Sequence, residues 1–133
     1  MSTRCCVKVV KHFENKTAEV MIYHHHDGYP EGVGVDLVKR SKKWKGPFQD
    51  RKEWDIDDVV NSLIKDQTDE YEYTAYNHCD IEFLYTIDCD TMTIKCNECN
   101  MIFEDENGNR VWENEVGAEV QIPVVEEKQY EKK

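Results

Sequence analysis

The sequence predicts a single α+β domain in which an antiparallel sheet carries two helices on one face. Strand-like segments lie before and after a helical stretch, and hairpin turns recur through the second half of the chain. One segment, 55–65, has the apolar spacing of an amphipathic helix. With 133 residues, the chain is close to the commonest domain size and long enough to bury one core without disulfides. Together these features are typical of a sheet that is covered on one side by helices.

The amino-terminal segments predict a hairpin that leads into a glycine-rich loop. Strands are expected over 5–10 and 17–26, with a turn at 13–16 between them. Alternation along the second strand places two histidines on the same face as two aliphatic residues: Val20, Ile22, His24 and His26. The segment 27–34 holds three glycines and a proline, which argues against regular structure there.

Two helices are predicted in the middle of the chain. The first begins at about residues 34–35 and extends to about Trp44, before a glycine and a proline end it. The second covers 55–65, where Asp55 is a good N-cap and the acidic first turn suits the helix dipole. Its apolar residues form one stripe, which predicts the face that packs on the core: Ile56, Val59, Val60, Leu63 and Ile64.

The second half of the chain is expected to consist of strands. Six segments have strand character: 71–77, 81–88, 91–98, 101–104, 110–113 and 120–125. Turns are predicted across residues 88–90 and, on a strong turn signal, across 107–109. Pro123 restricts the last segment to an edge of the sheet. The domain is therefore expected to span residues 1–125, followed by a charged tail at 126–133.

Charge is distributed unevenly along the chain, whose formal net charge is −11. Between residues 39 and 52 the net charge is +6, whereas residues 53–106 hold sixteen carboxylates against two lysines. The cations of this basic island are Lys39, Arg40, Lys42, Lys43, Lys45, Arg51 and Lys52. An acidic body of this kind repels nucleic acid and anionic membranes, and it favours a partner with a basic surface.

The cysteines and the amino terminus predict a cytoplasmic protein. No window approaches 18 uninterrupted apolar residues, and the first residues lack the apolar run of a signal peptide. The six cysteines are therefore expected to be free thiols, with no structural disulfide.

The segment 23–34 holds the densest chemistry of the chain. A strand that enters a glycine-rich turn and then a helix presents backbone N–H groups that bind anions such as phosphate, and histidines and cations lie close by. The predicted ligand-binding residues are His24, His26, Asp27, Gly28, Tyr29, Gly32, Gly34, Lys39 and Arg40. At least one of the three glycines is expected to need a positive φ or a close backbone approach. The alternative is a purely structural loop, since the segment matches neither the Walker spacing nor the dinucleotide fingerprint.

The same segment carries a local resemblance. The pattern Tyr23, His24, His26, Asp27-Gly28-Tyr29-Pro30, Gly32, Gly34 resembles a motif that recurs in short uncharacterised proteins, many of them from phages and mobile elements. Those proteins often carry arginine and tryptophan near the positions of His24 and His26, so this chain departs from them there. The resemblance covers about a dozen residues, and it implies a shared loop and a phage or prophage origin but no activity.

Residue types and spacing suggest three further candidate sites, two for a metal and one for a cysteine nucleophile. Cys96 and Cys99 have the spacing of a zinc knuckle, but no second pair exists, and in one regular strand the two side chains would face opposite sides. His24 and His26 could bind a metal together with Asp27 or His78. Cys79 neighbours His78, although adjacent strand residues point apart and do not form a nucleophile–base pair. We therefore assign no metal and no cofactor.

Aromatic residues of the second half could form a stacking platform for bases, but core packing is the preferred interpretation. Such platforms normally carry basic residues between the aromatics, whereas the neighbours here are acidic. The residues concerned are Tyr71, Tyr73, Tyr76, Phe83, Tyr85, Phe103 and Trp112.

These observations favour a non-catalytic binding protein of phage origin that acts in the cytoplasm, and they leave a homo-oligomer open. It would inhibit a partner protein with a basic surface, for example a host defence factor in a counter-defence role, or sequester a phosphorylated ligand. The alternative is a small enzyme for a nucleotide-like or phosphorylated substrate, with acid–base chemistry from His24 and His26. No catalytic residue is assigned, and neither direct nucleic-acid binding nor membrane binding is expected.

Overall fold

Six strands and two helices make up the described part of the chain, which in this computed structural model covers residues 3–46, 52–64, 71–75, 80–104 and 106–124. The strands are β1 (Cys5–His12), β2 (Thr17–His24), β3 (Tyr71–Thr74), β4 (Phe83–Asp88), β5 (Thr93–Glu104) and β6 (Arg110–Val120). The helices are α1 (Val35–Ser41) and α2 (Ile56–Ile64), and a π-helical turn (Pro30–Gly34) leads directly into α1.

All six strands belong to one sheet, in the order β3-β2-β1-β4-β5-β6. Four of the five neighbouring pairs are antiparallel, and β1 with β4 is parallel. The predicted α+β fold is therefore confirmed, with one parallel pair that the sequence did not indicate. That pair is possible because a long connection separates β1 from β4, and parallel neighbours need such a crossover.

The helices cover one face of the sheet, as predicted. Alternate β1 residues Cys5, Val7 and Val9 point to this side, where they share a core with Leu37 of α1 and Val59 of α2. A smaller core lies on the opposite face and is formed by Cys6, Tyr23, Ile81, Leu84 and Cys99. The sheet is thus buried on both faces near its centre, with the helices on only one.

Helix α2 has the cap and the stripe that its sequence predicts. The Asp57 backbone N–H donates to the Asp55 carboxylate at 2.8 Å, which is an N-cap bond. Every residue of the predicted stripe belongs to the helix-side core: Ile56, Val59, Val60, Leu63 and Ile64. None of the helices in the described ranges is both long enough and apolar enough to cross a lipid bilayer.

The segment 27–34, expected to lack regular structure, contains a helical turn. Pro30 occupies its start, where a missing N–H leaves no bond unmade and a fixed φ suits the helix. The helical stretch therefore begins at Pro30, before the predicted residues 34–35. It ends at Ser41 rather than Trp44, and the chain then turns.

Several strand boundaries also differ from the prediction. Two expected strands, 91–98 and 101–104, are the single long strand β5, because it pairs with β4 through its first half and with β6 through its second. β6 extends to Val120, and the residues after it leave the sheet, so the predicted strand at 120–125 is wrong. The turn at 107–109 is confirmed, and Gly108 supplies its positive φ of 82°.

Of the seven aromatic residues considered for a stacking platform, the structure describes four side chains, and three of these belong to the core. Tyr71 and Tyr85 are buried and Phe83 packs against the same core, but Tyr73 is 60% exposed because it lies at the sheet edge on β3. Tyr76, the side chains of Phe103 and Trp112, and the predicted tail at 126–133 lie outside what the structure describes. The five cysteines in the described ranges are buried and lie outside any disulfide: Cys5, Cys6, Cys89, Cys96 and Cys99.

Candidate functional site

A cavity of about 200 Å³ opens between the end of β2, the π-helical turn, α1 and β3. Its lining residues are His24, His26, Asp27, Gly32, Val33, Asp36 and Tyr71. The structure thus brings together His24, His26, Asp27 and Gly32 from the predicted ligand-binding set. We call this cavity the His24–Tyr71 pocket.

Asp27 is held at the pocket in an uncommon backbone conformation. Its φ is 53°, in the left-handed region, and its carbonyl oxygen accepts the Val33 N–H at 2.8 Å. A Cβ on Gly32 would lie 2.3 Å from that same oxygen, so the turn closes only with glycine at this position. The Tyr29 hydroxyl donates to the Asp27 carboxylate at 3.1 Å. Backbone and side chain of Asp27 are therefore both fixed by the loop.

The expectation that one of the three glycines needs a positive φ or a close backbone approach is confirmed through a close approach, and none of the three has a positive φ. Positive φ occurs at Asp27 instead, since an aspartate tolerates the left-handed region better than most residues. Gly32 makes the close approach to Asp27.

The floor of the pocket is a hydrogen-bonded group on α1 and β3. The Tyr71 hydroxyl donates to Asp36 Oδ2 at 2.7 Å, and Arg40 Nε donates to the same oxygen at 2.9 Å. Burial raises the pKa of Tyr71, and the neighbouring Asp36 charge adds to the effect, so the hydroxyl stays protonated as a donor. The His24 ring lies against the Tyr71 ring, with centroids 4.5 Å apart.

Arg40 connects this floor to the second helix. Its guanidinium lies 5.4 Å from the centre of the Tyr71 ring, and its Nη1 donates to the Ser62 carbonyl of α2. Arg40 is therefore a structural cation beside the pocket, which it does not line. The charge of Arg40 offsets that of Asp36, so the net charge at the pocket comes mainly from Asp27.

The backbone amides expected to bind an anion already donate within the turn. Gly32 N–H donates to the Tyr29 carbonyl at 2.9 Å and Val33 N–H to Asp27. Val35 N–H donates to the carbonyls of the preceding turn. The N–H groups of Gly32, Val33 and Val35 therefore already have acceptors within the protein. Phosphate binding there stays a prediction.

Other predicted site residues support the loop rather than line the pocket. Gly28 is buried, its N–H donates to the Thr3 carbonyl at 2.9 Å, and its own carbonyl accepts the Tyr85 hydroxyl at 2.7 Å. Gly34 is buried, and a Cβ there would lie 3.1 Å from Ile122. Lys39 is exposed and does not line the pocket.

The zinc hypothesis for Cys96 and Cys99 fails on geometry. Cys96 belongs to the helix-side core and Cys99 to the core on the opposite face, so one ion does not reach both. Burial raises the pKa of each thiol to about 11, and for Cys96 the Tyr85 hydrogen bond opposes part of that rise. Both thiols therefore stay protonated. The predicted His78 and Cys79 lie outside the described residues.

A second group of potential ligands lies at the β4–β5 turn. Ligand atoms of His12, Asp88 and Asp90 lie within 4.8 Å of one another. Asp90 already accepts Lys11 Nζ at 2.6 Å and His12 Nδ1 at 2.7 Å, and Lys11 also pairs with Glu53. Asp90 is thus already paired with two cationic or donor side chains and acts as an ion-pair junction.

Sequence reasoning missed three lining residues, Val33, Asp36 and Tyr71. The sequence could have indicated Asp36, because it lies four residues before Arg40 on a predicted helix, a spacing that favours ion pairs. The two side chains do form an ion pair at 2.9 Å. Tyr71 meets His24 only through the pairing of β2 with β3, and a single sequence does not specify that register.

Comparison of the chain with protein families, with curated proteins and with solved structures found no match. The resemblance of the segment 23–34 to phage and mobile-element proteins therefore stays a prediction.

Proposed function

We propose that the chain is a non-catalytic binding protein that receives a cationic side chain of a partner protein in the His24–Tyr71 pocket. The partner has a basic surface. When this chain covers that surface, the normal contacts of the partner are inhibited. We place this activity in the cytoplasm, in keeping with the buried free thiols, and a phage-derived inhibitor of a host factor is the setting that this proposal favours.

The position of Asp27 carries the proposal. The loop fixes this carboxylate at the pocket through a left-handed backbone, a clamped carbonyl and a hydrogen bond from Tyr29. Non-glycine residues in sparsely populated backbone regions concentrate at binding sites, where the surrounding structure maintains them. A fixed carboxylate attracts an ammonium or guanidinium group by charge and accepts its hydrogen bonds.

The size of the pocket supports a side chain over a nucleotide. Pockets for drug-sized ligands occupy roughly 300–1,000 Å³. The volume here is about 200 Å³, and carboxylates contribute to the lining while Arg40 and Lys39 do not. An anionic phosphate would therefore meet Asp27 and Asp36 at close range. The enzyme alternative stays a prediction that this lining does not favour.

Nα-acetyl-lysine methylamide and Nα-acetylarginine methylamide test the proposal as minimal cationic probes. Amide chemical shifts of the labelled full chain report both affinity and location. We expect saturable shifts confined to residues 24–36 and 71–74. The Asp27→Asn variant keeps the backbone conformation and the acceptor oxygen but removes the charge, so it should weaken binding about tenfold.

Glu19→Gln is the matched control, since it removes the same charge from an exposed position on β2 outside the pocket. It should bind the probes as the parent chain does. Equal weakening by both variants, or saturable shifts at residues 24–36 with inorganic phosphate and none with the cations, would overturn the proposal.

A further inference from the structure

The strand β6 lies at the end of the sheet opposite β3, the strand that contributes Tyr71 to the His24–Tyr71 pocket. It is eleven residues long, and within the described ranges it pairs with β5 and with no other strand. Most of its central residues are exposed: Glu113, Glu115, Val116, Gly117, Ala118 and Glu119. An edge strand of this length presents a row of backbone donors and acceptors that another strand can complete.

The pairing with β5 fixes which way the β6 side chains point. Val116 lies opposite Cys99, whose side chain belongs to the core away from the helices, so Val116 occupies that face. Glu113 and Glu115 differ from Val116 by odd numbers of residues and therefore occupy the other face. An extra residue on β6, opposite Glu98, forms a bulge near Gly117 and ends this regular stretch.

The charge around β6 determines which kind of strand can pair with this edge. Residues 98–119 hold seven carboxylates against Arg110 alone. If a second copy added its own β6 antiparallel about Asn114, Glu113 of one chain would face Glu115 of the other. Like charges directly opposite each other destabilise a strand pair, so this edge disfavours self-pairing. The same glutamates favour a strand that carries cations.

We propose that β6 accepts an extended basic segment of a partner protein as a seventh strand of the sheet. An antiparallel segment with the order apolar, cation, polar, cation places its apolar residue beside Val116 and its cations beside Glu115 and Glu113. Backbone hydrogen bonds supply the affinity, and the alternating side chains supply the specificity. This surface goes beyond the pocket proposed above and does not depend on it.

The acetylated peptide Thr-Val-Lys-Thr-Lys-Thr serves as the probe, with the labelled full chain as its target. We expect amide shifts confined to β6 and the adjoining half of β5, and slower hydrogen exchange of β6 amides. The same peptide with alternate N-methylated amides keeps every charge but cannot complete the ladder, and it should not bind. Equal binding of the N-methylated peptide would overturn the proposal, because charge attraction alone would then explain it.

Charge reversal provides the second test. The paired change Glu113→Lys with Glu115→Lys should weaken the lysine peptide at least about fivefold, and it should bind the glutamate version of the peptide that the parent chain rejects. The control pair Glu14→Lys with Glu19→Lys makes the same change in net charge on exposed residues elsewhere, and it should leave binding unchanged. Equal weakening by the control pair, failure of the reversed pair to bind the glutamate peptide, or shifts outside β5 and β6 would each contradict strand addition at this edge.

Discussion

The helix-covered half of the sheet and the β5–β6 ribbon differ in how their side chains are used. Around β1, side chains on both faces of the sheet are buried, and consecutive residues are inaccessible to solvent. Along the middle of β6, nearly every residue is exposed and three of them are glutamates. The first region supplies stability and shapes the pocket, whereas the second presents an edge and a charge. Substitutions should therefore have very different effects in the two regions.

Truncation of a core side chain should show the largest difference. Leu37→Ala removes a fully buried side chain of α1, so the free energy of unfolding should fall by about 2–5 kcal/mol. Val116→Ala on β6 removes a side chain that is 49% exposed, and the loss should stay below about 1 kcal/mol. Urea denaturation measures both. Similar losses for the two variants would mean that the ribbon is as important to the core as the helices.

The next largest difference in stability between the two regions is expected when a methyl group is added to a glycine. Gly32→Ala places a Cβ 2.3 Å from the Asp27 carbonyl oxygen, so the loop must shift, and the expected loss is about 1–3 kcal/mol. At Gly117 of β6 the nearest atom to an added Cβ is 3.4 Å away, which is ordinary contact, so Gly117→Ala should be nearly neutral. Thermal unfolding of both variants decides the matter, and a neutral Gly32→Ala would show that the loop is not closed as described.

The Asp90 junction joins the two regions, because it links β1 to the turn before β5. Burial alone would raise the pKa of Asp90, but hydrogen bonds from Lys11 and His12 outweigh it and lower the pKa to about 2. The stabilisation is therefore complete above the usual aspartate pKa of about 4 and is lost as the pH falls towards about 2. Asp90→Asn should lower the free energy of unfolding at pH 7 by about 1–3 kcal/mol, since a charged hydrogen-bonded partner of the buried Lys11 is removed.

The pH dependence supplies the check on that junction. Urea unfolding of both proteins between about pH 7 and pH 2 should give a difference that shrinks as the pH falls through the window from about 4 to about 2. A difference that is constant across this range would contradict the assigned ion pair.

The smallest expected effect concerns the hydrogen bond between Tyr85 and Gly28, which supports the loop. Tyr85→Phe removes the hydroxyl that donates to the Gly28 carbonyl at 2.7 Å, and the expected loss is about 1 kcal/mol. Hydrogen exchange should accelerate locally, at the amides of residues 28–33, while β6 is unaffected. Uniform acceleration over the whole chain would show that Tyr85 supports the core as a whole rather than this loop.

The same contrast explains how far the sequence alone could lead. Period-two and helical spacing identified β1, the α2 stripe and the Asp55 cap, because those signals are local. The parallel pairing of β1 with β4 and the length of β5 depend on contacts between distant segments, which no local pattern encodes. At the pocket, the dense segment 23–34 gave part of the lining, but Tyr71 arrives from a strand about fifty residues later.

The start of the helix was the most consequential difference. Three glycines around Pro30 resemble an open loop, yet Pro30 begins a π-helical turn, and the N–H groups of Gly32, Val33 and Val35 already have acceptors. The chemistry expected at the pocket changes accordingly, from a cradle of N–H groups to a fixed carboxylate.

Contacts between the pocket and a cationic probe test the central claim most directly. Nuclear Overhauser effects are measured between the ε-methylene protons of Nα-acetyl-lysine methylamide and the ring protons of the full-length chain. If Asp27 receives the ammonium group, the methylene protons should show cross-peaks to Tyr71 and His24, which line the same pocket. Cross-peaks to rings outside the pocket with none to Tyr71 or His24 would contradict the account.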